Sequence, residues 1–156
     1  MRQRIGLVGC VKSKLASSVP AQELYTSALF RGRRQWVEQT CDSWLILSAE
    51  HGVLDPSQVV EPYDTALADK SRPERRAWAR SAIDQLRRRL GPLGEYDFEL
   101  HAGANYVAYG LREALLAAGC RVAWPAEHLN QGRQRQLYSA GPPGEAGAPT
   151  MGPSQP

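Results

Sequence analysis

Short apolar runs alternate along the chain with stretches in which apolar side chains recur every three or four residues, a pattern that predicts strands separated by helices. Ile5, Leu7, Val8 and Cys10, set among two glycines in residues 4–11, predict a first buried strand. Gly9-Cys-Val-Lys-Ser-Lys14 is then the loop that leaves it. Between Leu24 and Cys41, the positions Leu24, Ala28, Leu29, Trp36 and Val37 keep a helical interval interrupted by Gly32, and Ser27 or Thr26 can cap the start. Residues 43–48 predict a second strand. Its apolar run breaks into a polar segment containing Ser48, Glu50, His51 and Asp55 before Pro56 closes it. Residues 50–68 read as a long polar connection, and connections of that length inside compact domains are usually functional or mobile.

The strongest helical signal follows. Ser71 is placed to cap, Pro73 suits a first turn, and Ala79, Ile83, Leu86 and Leu90 share one face with arginines opposite. Gly91-Pro92 ends it. Residues 96–100 predict a third strand of the edge or half-exposed kind, because Asp97 and Glu99 alternate with Phe98 and Leu100. His101–Tyr106 is its exit loop, residues 105–118 predict a helix with Val107, Leu111, Ala114, Leu115 and Ala118 inward, and Gly119 stops it. Arg121–Trp124 is a fourth short strand, residues 125–132 its exit, and Arg133 to Tyr138 begin a last helix. The expected fold is α/β: a single three-layer domain over residues 1–138 with a mainly parallel sheet of about four strands. From Ser139 to Pro156 glycine, proline, alanine and serine dominate, which predicts a disordered tail.

Composition narrows the class. At 156 residues with 42% hydrophobic and 22% charged side chains, the chain fits one soluble globular domain. No apolar run approaches the ~20 residues needed to cross a bilayer, and no signal peptide is legible, so a cytoplasmic location is expected. Cys10, Cys41 and Cys120 form no CxxC pair, which argues against a zinc knuckle or a disulfide framework and leaves buried thiols as the plain reading. The net charge of +3 does not by itself predict nucleic-acid binding. Arginine nevertheless crowds into residues 31–34, 72–89 and 133–135, and such clusters follow a phosphate backbone if they share a face. The alternative is solvated helix faces.

In a parallel sheet the four strand exits converge at one edge, where open α/β sheets bind ligands. Lys12, Ser13 and Lys14 can hold a phosphate there, or form a solvated basic turn; neither GxxxxGK[ST] nor GxGxxG is present. Glu50 and His51 are neighbours that point to opposite sides of an extended chain, so one of them faces the cleft. His51 can serve as acid or base, and Glu50 can activate water or stabilise positive charge. Asn105 and Tyr106 follow a glycine-containing turn at a helix N-terminus, where Asn105 either meets a ligand or caps the helix. Glu127 and His128 repeat the Glu-His pair and form the expected opposite wall, with Glu127 a further catalytic candidate. Cys10 paired with a histidine is the nucleophilic alternative. His51, His101 and His128 lack HxxxH or HxH spacing, so neither a metal nor a cofactor is expected.

Residues 9–14 (GCVKSK), 23–30 (ELYTSALF), 47–56 (LSAEHGVLDP), Pro62-Tyr63-Asp64 and 125–132 (PAEHLNQG) together resemble a family of small bacterial and phage proteins grouped as a domain of unknown function. The resemblance covers residues 4–138. Cys10, Ser48, Tyr63 and Asp64 complete the expected substrate-binding set. The cysteine-lysine opening and the Leu-Tyr-x-Ser helix also resemble, more distantly, a domain of archaeosine synthase-type tRNA modification proteins that is similar to uracil-DNA glycosylases. That resemblance implies a nucleobase, nucleotide or nucleic-acid ligand. The expected function is therefore an enzyme acting on a nucleotide or nucleobase, by hydrolysis or transfer at an N-glycosidic bond. The alternative is a non-catalytic protein that binds nucleotides or nucleic acid.

Overall fold

The first strand, β1 (Gln3–Gly9), is the middle strand of the sheet, and the other elements are laid down to either side of it. The computed structural model describes residues 2–10 and 15–143. After β1 come β2 (Val19–Pro20), α1 (Ala21–Leu24), α2 (Ala28–Thr40), β3 (Ser43–Ser48), β4 (Gly52–Leu54) and β5 (Val59–Val60). Next are α3 (Arg72–Leu90), β6 (Tyr96–His101), α4 (Ala104–Val107), α5 (Leu111–Ala117), β7 (Val122–Ala123) and α6 (Gln131–Ala140). The main sheet has the order β4-β3-β1-β6-β7, parallel throughout except for β4, which returns antiparallel along β3.

Strand alternation divides the core into two layers. Ile5 and Leu7 of β1 lie with Leu45, Leu47, Phe98 and Leu100 against Ile83, Leu86, Leu111 and Leu115 of α3 and α5. Val8 and Ile46 face the other way, onto Phe30 and Val37 of α2. Leu7, Leu47, Leu100, Leu111 and Leu115 are wholly buried, and each such side chain contributes about 1.5–3 kcal/mol. The helix termini follow local chemistry. Ser27 caps α2 by accepting from the Phe30 amide, and Asn130 caps α6 by accepting from the Arg133 amide. Ser71 and Glu74 form a reciprocal capping box at the start of α3.

Four expectations are corrected. The connection over residues 50–68 is structured: β4 extends the sheet, and β5 pairs with β2 as a small antiparallel ribbon. The β6 strand is interior, not an edge, since it lies between β1 and β7; Glu99 and His101 are buried with partners, and of its acidic positions Asp97 alone stays half-exposed. The helix expected over 105–118 is two short helices, broken where Gly110 takes φ +121, a conformation that L side chains rarely adopt. The last helix runs to Ala140, two residues past the boundary read from the sequence. The remainder of the expected tail, from residue 144, lies outside the described residues.

The crossovers define where a ligand can sit. The chain leaves β1 for α2 on one face of the sheet and leaves β6 for α4 and α5 on the other, so the carboxyl ends of adjacent β1 and β6 border a crevice at a topological switch point.

Candidate functional site

The crevice is narrow at its base because a Cβ on Gly9 would fall 2.6 Å from the Cβ of Ala102 at the end of β6. Only glycine lets the two strand ends approach so closely. That approach sets Cys10 opposite Tyr106 of α4: Cys10 Sγ lies 2.9 Å from the Tyr106 hydroxyl. Tyr63, from the segment after β5, donates to the same sulfur at 3.4 Å.

The hydrogen bonds around Tyr63 have a direction. The His51 amide donates to Ser48 Oγ at 3.1 Å, Ser48 Oγ donates to the Tyr63 hydroxyl at 2.7 Å, and Tyr63 donates onward to Cys10. Tyr25 closes the group, its hydroxyl 2.5 Å from that of Tyr63. Exits of β1, β3 and β6 thus meet in a cluster of hydroxyls around one half-buried thiol. Burial, with the adjacent Cys10 as a further cause, raises the pKa of Tyr25, Tyr63 and Tyr106. The three phenols are consequently neutral near pH 7 and able to donate. Trp78 of α3 supports the floor by donating its indole N–H to the Ser48 carbonyl at 2.9 Å and by meeting the Tyr106 ring edge-on at 5.1 Å.

Behind the thiol lies a charged group. Arg33 of α2 is only 4% exposed, donating to the Gly9 carbonyl at 3.2 Å and to Gln134 Oε1 at 3.0 Å, while its Nε has no partner among the described residues. Burial lowers its pKa, against the opposing influence of Tyr138 and Cys10. A buried cation without a carboxylate partner among the described residues costs stability, which makes Arg33 a candidate site residue. Beside it runs a second buried chain. His101 Nδ1 lies 2.7 Å from the Tyr138 hydroxyl, His101 Nε2 lies 2.7 Å from Glu99 Oε1, and Thr40 donates to that same carboxylate oxygen at 2.9 Å. Burial holds the His101 pKa below its usual value. Burial opposes charge on Glu99, but hydrogen bonds from His101 and Thr40 outweigh it and hold that carboxyl low. The Tyr138 phenol is pushed up to about 12 by burial.

The expected site residues fall into four groups. Cys10, Ser48, Tyr63 and Tyr106 are brought together, and His51 joins at the rim, its exposed ring edge-on to Tyr63 at 5.3 Å. Glu50 is exposed beside them and accepts a hydrogen bond from Thr65, two residues beyond Tyr63, while Asp64 is exposed. Asn105 is half-buried in the first turn of α4 and does not cap it; the cap position belongs to Gly103, so the helix-capping reading is corrected.

Glu127 and His128 stand apart. Arg112 holds the Glu127 carboxylate at 2.7 Å while lying over the Trp124 ring, and His128, 88% exposed at φ +70, sits 3.4 Å from that carboxylate. Among the described residues no bond joins this pair to the cluster around Cys10; the β7 exit reaches the crevice through Trp124, which donates to the Ala102 carbonyl at 3.2 Å. Lys12, Ser13 and Lys14 lie outside the described residues. Among the described residues no group of three His, Cys, Asp or Glu side chains is placed to hold a metal ion, and no helix is long and apolar enough to cross a membrane.

Arg33 and Tyr25 are the residues of the candidate site that the sequence hides. Arg33 sits in an arginine-rich run that reads as solvated, yet it lies three or four residues from Leu29, Phe30, Trp36 and Val37, all buried, and that register is the signal. Tyr25 ends the one-turn helix α1, where periodicity has too little length to register. The arginine clusters do not share one face: Arg33 is buried, and Arg34 is engaged with Glu23, Glu38 and the Trp44 ring.

Comparison with known proteins agrees with the extent of this unit. The chain is 26% identical over 132 residues to the uncharacterized protein YfjM of Bacillus subtilis (strain 168), covering 79% of this chain and 83% of that protein. No solved structure matches. Residues 5–140 match the family of unknown function DUF6884, which takes in all of the sheet but its first two residues together with its helices, and the chain therefore belongs to that family.

Proposed function

We propose that the protein is an enzyme that acts on a nucleotide or nucleobase, with its reacting centre where the β1, β3 and β6 exits meet. The observation that carries this reading is the convergence of Tyr63, Tyr106 and, through Tyr63, Ser48 and Tyr25 on Cys10 Sγ. Neutral hydroxyls and aromatic faces suit a planar, hydrogen-bonding heterocycle: phenols donate to ring nitrogens and exocyclic oxygens, and the rings flank it. Membership in a family of unknown function names no substrate, and the distant resemblance to glycosylase-like domains supports a nucleobase.

Chemistry at the N-glycosidic bond fits the rim. The base departs with the bonding electron pair and needs a proton or a hydrogen bond where that charge develops, while water attacks the sugar carbon. Tyr63 and Tyr106 hold the base. His51 meets the Tyr63 ring and Glu50 accepts from Thr65, two residues beyond it; one of the pair activates water and the other protonates the leaving group. The Glu127–Arg112 pair supports the Trp124 side of the crevice and takes no part in the chemistry.

The test is a thermal-shift and product screen with free bases, nucleosides, nucleotides and short oligonucleotides. The expected result is a raised melting temperature with at least one class and release of its base, lost in Glu50→Gln or His51→Ala protein. No shift and no base release across all classes would overturn the reading.

A further inference from the structure

Helix α3 concentrates positive charge out of proportion to the chain. Its seven arginines against Glu74 and Asp84 give the 19-residue helix a net charge of +5, more than the +3 of the whole protein. Beneath part of that charge lies a groove of about 430 Å³ between α3 and α5. Arg76, Arg80 and Arg87 form its rim, Ala79, Ile83 and Ala114 its floor, and Tyr109 lines it as well. Arg87 is 3.9 Å from Asp84, the one carboxylate in the groove, whereas Arg76 and Arg80 are exposed and take no ion pair among the described residues.

The groove adjoins the catalytic crevice through shared elements. Tyr109 follows Tyr106 by three residues and receives a hydrogen bond from Arg75 at 2.9 Å. Trp78 of α3 reaches back to Ser48 and Tyr106. We propose that this groove binds single-stranded nucleic acid, so that the substrate of the proposed reaction is a base carried in a polynucleotide. The inference rests on the nucleobase reading of the crevice and specifies its substrate class.

Three features favour a single strand. At a rise of about 1.5 Å per residue, Arg76 and Arg87 lie roughly 16 Å apart along the helix, a distance that lets rim arginines meet successive phosphates of an extended strand. The apolar floor offers a surface for a base or sugar, as in other single-strand sites that combine a basic track with a stacking platform. A concave volume of 430 Å³ is on the scale of a small ligand and does not admit a duplex.

The experiment is fluorescence anisotropy with labelled 12-nucleotide single-stranded DNA and RNA, the matching duplexes and a polyglutamate peptide, alongside base release from free nucleosides. Three phosphate contacts predict that single-strand affinity falls about 20-fold between 50 and 200 mM salt, since the slope is about −0.7 per contact. Arg76→Glu/Arg80→Glu protein is expected to lose at least tenfold in single-strand affinity. Arg135→Glu on α6, across the sheet, is expected to change it less than twofold.

Absence of single-strand binding, binding unaffected by the double substitution, or equal affinity for duplex or for polyglutamate would each overturn the proposal. The two readings fail separately. Base release from free nucleosides without strand binding sinks the groove alone; strand binding through the groove without base release from any substrate sinks the enzyme alone.

Discussion

Cys10 and Tyr106 leave different strands of the sheet, yet their sulfur and phenolic oxygen lie 2.9 Å apart across the gap between β1 and β6. That contact needs both the parallel pairing of the two strands and a glycine at position 9. Replacing Tyr106 by Phe removes one hydrogen bond and keeps the ring against Trp78. The expected loss is about 1 kcal/mol of stability, with a fall of at least tenfold in turnover of whichever substrate is found. Chemical denaturation and a turnover assay check the two parts, and unchanged turnover would remove Tyr106 from the site.

Gly9→Ala tests the close approach itself. A methyl group would meet the Ala102 side chain at 2.6 Å and its Cα at 3.0 Å, so the strand ends must part. The expected destabilisation is about 1–3 kcal/mol, the range for overpacking. A denaturation midpoint equal to the parent's would contradict the geometry.

Arg33 separates stability from function. Among the described residues its buried guanidinium has no carboxylate partner and its Nε no hydrogen bond. Arg33→Met keeps the apolar stem and deletes the charge. Because an uncompensated buried charge is unfavourable, the variant is expected to melt at or above the parent's temperature while losing activity. A large drop in melting temperature with full activity would make Arg33 a structural residue.

The Glu99–His101 pair makes stability pH-dependent. The histidine pKa is lowered in the folded protein, so the unfolded chain binds its proton first and folding stability falls as pH drops below about 6.5. The Glu99 carboxyl is also held low; the stability it contributes is present above its usual range and is lost at more acid pH. Melting temperature is expected to decline from pH 7 toward pH 4, and His101→Gln protein to show a shallower decline between pH 6.5 and 5. Identical profiles for parent and variant would contradict the assignment.

Regular elements were legible where local chemistry and periodicity agreed. Ser71-Arg-Pro-Glu74 specifies a helix start by itself, and the apolar face from Ala79 to Leu90 then fixes which side packs on the sheet. The β6 strand was misread because alternation of polar and apolar residues normally marks a strand facing water; here Glu99 and His101 are satisfied by Thr40 and Tyr138 from helices distant in sequence. The site was legible in part for a related reason. Strand exits are local features, so Cys10, Ser48 and Tyr106 could be placed at one edge, whereas the partnership of Tyr25 with Tyr63 depends on the β2–β5 ribbon, which has two residues per strand. The repeated Glu-His pair did not show its own surroundings, since Glu127 is held by Arg112, a residue of α5 that pattern alone does not bring near.

The most direct test of the account uses the thiols. Cys10 is half-buried in the crevice, Cys120 is buried, and burial pushes the Cys41 thiol up to about 11. Alkylation by iodoacetamide at pH 7.5, read out by peptide mass spectrometry, is predicted to modify Cys10 first. A nucleoside or oligonucleotide that raises the melting temperature is predicted to slow that modification at least tenfold while leaving Cys41 unaffected. Modification of Cys10 at the same rate with that ligand at saturation would contradict a ligand site where the β1, β3 and β6 exits meet.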